Sequence, residues 1–206
     1  PKPKLPSQSP KSFSEKEAIT ILQVVSNMPT KYYFCKIRNK AVVATFLFTG
    51  LRKSELLNLQ CDDVDLTNGF IQVQHGKGDK KREIPINQST LLPILQEYLE
   101  YRARLYKSSK WFFNGTFSGR GCYDNKLAVS TIDRFFTQIT KLTKLPKKIS
   151  CHKLRHTFAT LFLDKTDDIY TLQQLMGHSS IKTTCIYLTS TRKKKIEGVN
   201  KLCFNE

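Results

Sequence analysis

The stretch HKLRHTFATLF, residues 152–162, places His152, Arg155 and His156 on one turn of a helix, directly ahead of an apolar run. Two histidines at this spacing would suit a metal ion. The zinc-protease pattern, however, needs a glutamate after the first histidine, and Lys153 stands there. Lys153 and Arg155 would also repel a divalent cation. An anion fits better: a guanidinium donates two parallel hydrogen bonds to a phosphate, and an imidazole donates or accepts a third. No metal site is expected.

Three other stretches set charge or a nucleophile beside apolar helix surface. In TGLRKSELLNL, Arg52 follows a glycine turn and Glu55 lies within helical reach of it. The two are either a surface ion pair of little worth or an arginine oriented by a carboxylate to hold an anion. In HGKGDKKRE, a glycine on each side leaves the Lys77 ammonium unobstructed at a hairpin tip. No Ser or Thr follows that lysine, so this is not a nucleotide-binding P-loop, and a turn lysine is usually just solvated. In LMGHSSIKTTCIYL, His178 follows a glycine helix break and Tyr187 lies near the end of the next helical run. A tyrosine there is an amphipathic core residue or a nucleophile able to form a covalent intermediate.

These side chains need a scaffold, and the pattern supplies one. Ser14 followed by Glu17 is a capping box, opening a helix with Ala18, Ile19, Leu22 and Val25 at helical spacing. CKIRNKAVVATFLFTG is apolar enough to lie at the centre of the core and stops at Gly50. Ile71 and Val73, then Ile84 and Ile86, alternate with polar residues about a Gly-Lys-Gly-Asp turn, which predicts a β-hairpin. Helices are expected over 88–107, 129–144, 151–164, 168–176 and 180–188, with KWFFNG a short buried strand or turn. The expected fold class is mainly α with a small antiparallel β-sheet.

At 206 residues and 39% hydrophobic content the chain can bury a real core. Its net charge of +17 makes a polyanion the leading partner class. No apolar run is long enough to span a bilayer and no signal-peptide pattern opens the chain. The six cysteines contain no CxxC pair, so reduced, mostly buried thiols in a cytoplasmic protein are expected.

Taken together and in this order, TGLRKSELLNLQ, GKGDKKREIPI, HKLRHTFAT and LMGHSSIKTTCIYL resemble the catalytic domain of the tyrosine recombinases, the phage integrase and Xer family. The resemblance runs over about residues 13–190 and implies the fold of that domain. Motif by motif it implies the catalytic set Arg52, Lys77, His152, Arg155, His178 and Tyr187, with Glu55 at the acidic position after the first arginine. His156 then becomes a packing or supporting residue. Lys53 stands where many members carry a small or apolar residue and is expected to add a phosphate contact. Residues 1–12, PKPKLPSQSPKS, read as a linker from an N-terminal DNA-clamping domain, the chain not beginning with Met. Residues 191–206 form a tail. Within it KKKIEGVNKLCF, with Ile196, Val199, Leu202 and Cys203 on one face, is either a helix passed to a neighbouring subunit or a frayed basic end.

The function implied by the resemblance is a site-specific recombinase or integrase that cuts and rejoins double-stranded DNA through a 3′-phosphotyrosyl link. It would work as a homotetramer on paired sites, with no cofactor, metal or nucleotide. The rivals are topoisomerase-like relaxation by the same chemistry and a non-catalytic DNA-binding regulator. A full set of arginines and tyrosine argues against the regulator.

Overall fold

The computed structural model describes residues 12–74, 81–106, 109–115 and 126–188. Lys77 with its hairpin tip, the linker up to residue 11, the tail 191–206, Cys122 and Cys203 lie outside the described residues. The order of elements is α1 (Glu15–Asn27), α2 (Tyr33–Thr49), α3 (Lys53–Asn58), β1 (Val64–Asp65), β2 (Phe70–Val73), β3 (Arg82–Pro85), α4 (Leu91–Leu105), α5 (Val129–Thr143), α6 (Cys151–Thr166), α7 (Ile169–Met176) and α8 (Ile181–Cys185). The fold is mostly helical with one small antiparallel sheet, as expected.

Helix α2 sits in the middle because its second half has no polar face: every residue from Ala41 to Leu47 is buried. Helices α1, α4 and α6 pack around it. At its end Gly50 adopts a left-handed conformation, φ 62°, and its N–H bonds to the Phe46 carbonyl. A Cβ at Gly50 would run into the Phe158 ring of α6, so glycine is required there both for conformation and for space. This close approach sets the distance between α2 and α6, and so between the segments carrying Arg52 and Arg155.

The capping box at Ser14 and Glu17 forms as the sequence predicts. Of the apolar positions expected to face inward on α1, Ala18 and Val25 are buried with Ile21, whereas Ile19 is half-exposed. The hairpin also forms: β2 and β3 pair antiparallel with Ile71 opposite Ile84 and Val73 opposite Arg82. Strand β1 was not expected, and it extends the sheet in the order β1-β2-β3. At two residues it is too short to show an alternation.

In KWFFNG, Phe112 and Phe113 are buried, and isolated bridges join Trp111 to Gln60 and Asn114 to Lys126. Lys110 O and Phe113 O accept from the backbone N–H groups of Cys61 and Leu127, and the carbonyls between them are satisfied by side chains. Tyr98 Oη donates to Phe112 O at 2.7 Å, and the buried Arg102 donates to Trp111 O and Phe112 O. The last predicted helix is shorter than expected, ending at Cys185 with a turn over Ile186 and Tyr187. The expectation of mostly buried thiols is corrected: of the described cysteines only Cys151 is buried, Cys35 and Cys61 are half-buried and Cys185 is exposed. No described helix is long and apolar enough to cross a membrane.

Candidate active site

Helices α5 and α6, the Leu51–Lys53 segment and the stretch from His178 to Tyr187 line a cavity of about 930 Å³. Arg52, His152, Arg155, His178 and Tyr187 all line it, so five of the six residues singled out in sequence converge on one space. The sixth, Lys77, lies outside the described residues. Glu55 stands behind Arg52.

Arg155 faces inward because α6 is buried over the whole run Leu154–Ala159. A guanidinium in such a place must find internal acceptors. Its Nη1 donates to Gly50 O, and its Nη2 donates to Met176 O at 2.7 Å. The same Nη2 lies 3.1 Å from His178 Nε2. Arginine only donates, so His178 Nε2 carries the lone pair and Nδ1 the proton, which goes to Thr184 Oγ1 at 3.0 Å. Burial and the cations Arg155, Arg52 and Arg82 push His178 down to about 4, consistent with a neutral ring. Burial also lowers Arg155 to about 10, helped by Arg52 and opposed by Glu55.

Arg52 is the residue just ahead of α3, and its backbone N–H donates to Glu55 Oε2 at 2.7 Å, half of a capping box. Its guanidinium donates to Glu55 Oε1 at 2.7 Å and to Gly177 O at 3.0 Å. Glu55 is 8% exposed and also receives both Nη atoms of Arg82, at 3.0 and 2.8 Å. Burial alone would raise its pKa, but hydrogen bonds from Arg82 and Arg52 win and hold it at about 2. The alternatives left open for Arg52 and Glu55 are thus decided by burial: this carboxylate orients an arginine and is not part of a solvated pair.

Sequence reasoning passed over Arg82. A signal was present: in REIPI, Arg82, Ile84 and Ile86 share one face of the strand, and Ile84 and Ile86 are buried. An arginine on an inward strand face must have a buried partner.

The other wall carries the histidine pair and the tyrosine. His152 Nε2 and His156 Nε2 are 2.6 Å apart, hydrogen-bond distance at which one ring donates and the other accepts. His156 is buried, and its Nδ1 has no hydrogen-bond partner among the described residues. Burial and the neighbouring cationic groups lower it to about 4. Its ring centre is 5.2 Å from that of Tyr187. Tyr187 is itself buried, packed with Phe158, Ala159, Leu163, Leu172 and Met176. Burial pushes its phenol up while the Arg155 charge pulls the other way. At the rim, Lys53 Nζ meets Asp133 at 3.1 Å.

This fold and this arrangement define the class. Residues 11–194 match the profile of the phage integrase family, and the chain belongs to that family. It is 36% identical over 199 residues to the tyrosine recombinase XerA of Pyrococcus furiosus, covering 97% of this chain and 64% of that protein. The chain therefore spans less than two thirds of this curated relative. A crystal structure of XerA recombinase superposes with a TM-score of 0.76 at 31% identity, covering 97% of this chain and 68% of that one. XerH site-specific recombinase bound to its difH substrate before cleavage is similar at 26% identity and a TM-score of 0.76, over 94% of this chain and 54% of that chain.

Proposed function

We propose that this chain is the catalytic part of a site-specific DNA recombinase that cuts and rejoins strands through a 3′-phosphotyrosyl link on Tyr187. The observation that carries this reading is the shared cavity: two guanidiniums fixed by backbone carbonyls and Glu55 form one wall, and a tyrosine lies on another.

The chemistry follows from charge. A phosphodiester bears one negative charge, and attack by an oxygen nucleophile builds more on its non-bridging oxygens. Arg52 and Arg155, already held in place, stabilise that charge without reorganising. The negative charge of a bound phosphate favours uptake of a second proton from solvent at His178 Nε2, which then donates to the same oxygens in place of accepting from Arg155. The phenol, ordinarily near pKa 10 and raised here, needs a base as it attacks phosphorus, and His152 takes its proton. The bond to the 5′ oxygen breaks, and Lys77 protonates that leaving oxygen. Attack by a 5′ hydroxyl from a partner duplex reverses these steps and exchanges strands. The phosphotyrosyl ester keeps the bond energy, so the scheme draws on no nucleotide, and the guanidiniums supply the charge that a metal would.

The +17 chain suits double-stranded DNA, and XerH is bound to DNA in its structure. The wider reading is a cytoplasmic homotetramer on paired sites, with residues 1–12 a linker from a DNA-clamping domain and 191–206 a tail exchanged between subunits. The test is covalent trapping on a pool of nicked suicide duplexes. The unaltered chain should form a denaturation-resistant adduct, and Tyr187→Phe should form none while binding DNA within about twofold of the unaltered chain. An adduct that survives the substitution would mean another nucleophile. Relaxation of plasmid lacking any recovered site would favour a topoisomerase.

A further inference from the structure

Helix α7 ends in a cluster whose hydrogen bonds can be accounted for one by one. The His178 N–H bonds to Gln173 O and the Gly177 N–H to Gln174 O, the two bonds of a Schellman cap, with Gly177 left-handed at φ 61°. The next three carbonyls each receive a different arginine. Leu175 O accepts from Arg82 Nε at 2.8 Å, Met176 O from Arg155 Nη2 at 2.7 Å and Gly177 O from Arg52 Nη2 at 3.0 Å. The negative end of the helix thus faces three guanidiniums brought from a strand, a helix and a helix start. On the other side Glu55 closes the set, bonded to Arg52 and Arg82 and 3.8 Å from Arg155.

The three arginines are not equivalent. Arg52 and Arg155 line the cavity, whereas Arg82 does not and its side chain is only 9% exposed. Arg82 spends both Nη atoms on Glu55 and its Nε on the helix end. Without it, Glu55 would face Arg52 alone at bonding distance, and the Arg52 guanidinium would be drawn back onto both carboxylate oxygens and away from the cavity.

We propose that Arg82 is a positioning residue for the strand-transfer reaction: by occupying Glu55 and the end of α7, it holds Arg52 forward where it meets the scissile phosphate. This rests on the proposed function and adds a residue to it. Arg82 never touches the DNA in this scheme, so its effect belongs to the rate of the chemical step and not to affinity.

The experiment uses the full chain and a nicked suicide duplex recovered from the trapping pool, in single turnover with protein in excess. Arg82→Gln should lower the trapping rate at least about tenfold, a smaller loss than the roughly 10²–10³-fold that follows removal of a donor touching the developing charge, with DNA affinity within about twofold. Arg82→Lys should restore part of that rate. In a Glu55→Gln background the further substitution Arg82→Gln should change the rate by less than about twofold, because its target is already neutral. An acid limb in the rate profile should also appear at higher pH in Arg82→Gln, as Glu55 becomes easier to protonate. A full rate in folded Arg82→Gln overturns the proposal, as does a loss confined to affinity or one that multiplies with Glu55→Gln. If the unaltered chain traps no DNA, the functional reading falls. Carbon-13 titration of the Glu55 carboxyl then still decides on the cluster: a rise in its pKa in Arg82→Gln or Arg82→Lys supports the coupling, and no change overturns it.

Discussion

The two walls of the cavity are built on opposite plans. On the arginine wall every polar group described has a partner: Glu55 is bonded to Arg52 and Arg82, and three arginines close the end of α7. On the histidine wall His152 and His156 hold only each other at their facing Nε2 atoms, and His156 Nδ1 is buried without a partner among the described residues. Tyr187 follows a helix of five residues, held mainly by apolar packing. The contrast matches the demands of the proposed reaction. Charge stabilisation is cheapest when the donors are fixed beforehand. A nucleophile that must attack, become esterified and be released needs a wall with few committed bonds, and protons can move only where hydrogen bonds are not all spent.

Removing the carboxylate tests the arginine wall most severely. Glu55→Ala leaves Arg52, Arg82 and Arg155 crowded without their shared anion. Breaking a buried pair from one side costs about 3–5 kcal/mol, and denaturant unfolding should show a loss of that size. A loss under about 1 kcal/mol would mean that the α7 carbonyls alone suffice to hold the arginines, and the wall would not be a single unit.

Acid separates the buried histidines from the buried carboxylate by pH. His156 and His178 have folded pKa values of about 4, below the ordinary 6.5. The unfolded chain therefore binds their protons first, so the stability they contribute is complete above about pH 6.5 and is lost as pH falls toward 4. Glu55 is lowered from 4.5 to about 2, so its contribution is complete above about pH 4.5 and is lost toward pH 2. The contributions of these two histidines, His156 beside Tyr187 and His178 beside Arg155, should be lost first. In thermal melts His156→Gln should flatten the decline between pH 6.5 and 4, by on the order of 2–3 kcal/mol at the acid end, and leave the lower window in place. An unchanged upper window would show that His156 takes up its proton as readily in the folded as in the unfolded chain.

Both the legible and the illegible parts of the molecule have physical reasons. The capping box at Ser14, the glycine stop at Gly50 and the hairpin of Ile71, Val73, Ile84 and Ile86 are local signals, written within a few residues, and each appears as read. The convergence of Arg52, His152, Arg155, His178 and Tyr187 came from the resemblance, since no periodicity tells which helix ends meet. What escaped were partners set by tertiary packing: Arg82 on Glu55, Arg102 on the Trp111 and Phe112 carbonyls, and the acceptor role of the α7 end. A backbone carbonyl has no letter in the sequence, so the groups that fix the arginines could not be read there. His156, first weighed as a metal ligand, is the buried partner of His152.

The smallest effect concerns the rim, where the ion pair is of another kind from those behind it. Lys53 and Asp133 are 3.1 Å apart with side chains 38% and 57% exposed, against 8% for Glu55. A pair this open contributes about 0–1 kcal/mol, because water and salt compete for both charges. Lys53 was expected to meet a phosphate, and in the free protein it meets Asp133 instead. The weakness of the pair makes the two compatible, since a phosphate can replace the carboxylate at little cost. Lys53→Ala should change unfolding stability by less than about 0.5 kcal/mol. It should also reduce the slope of log affinity against log salt by about one, the signature of one lost phosphate contact. An unchanged slope would assign Lys53 to the rim ion pair alone and leave DNA contact to the arginines behind it.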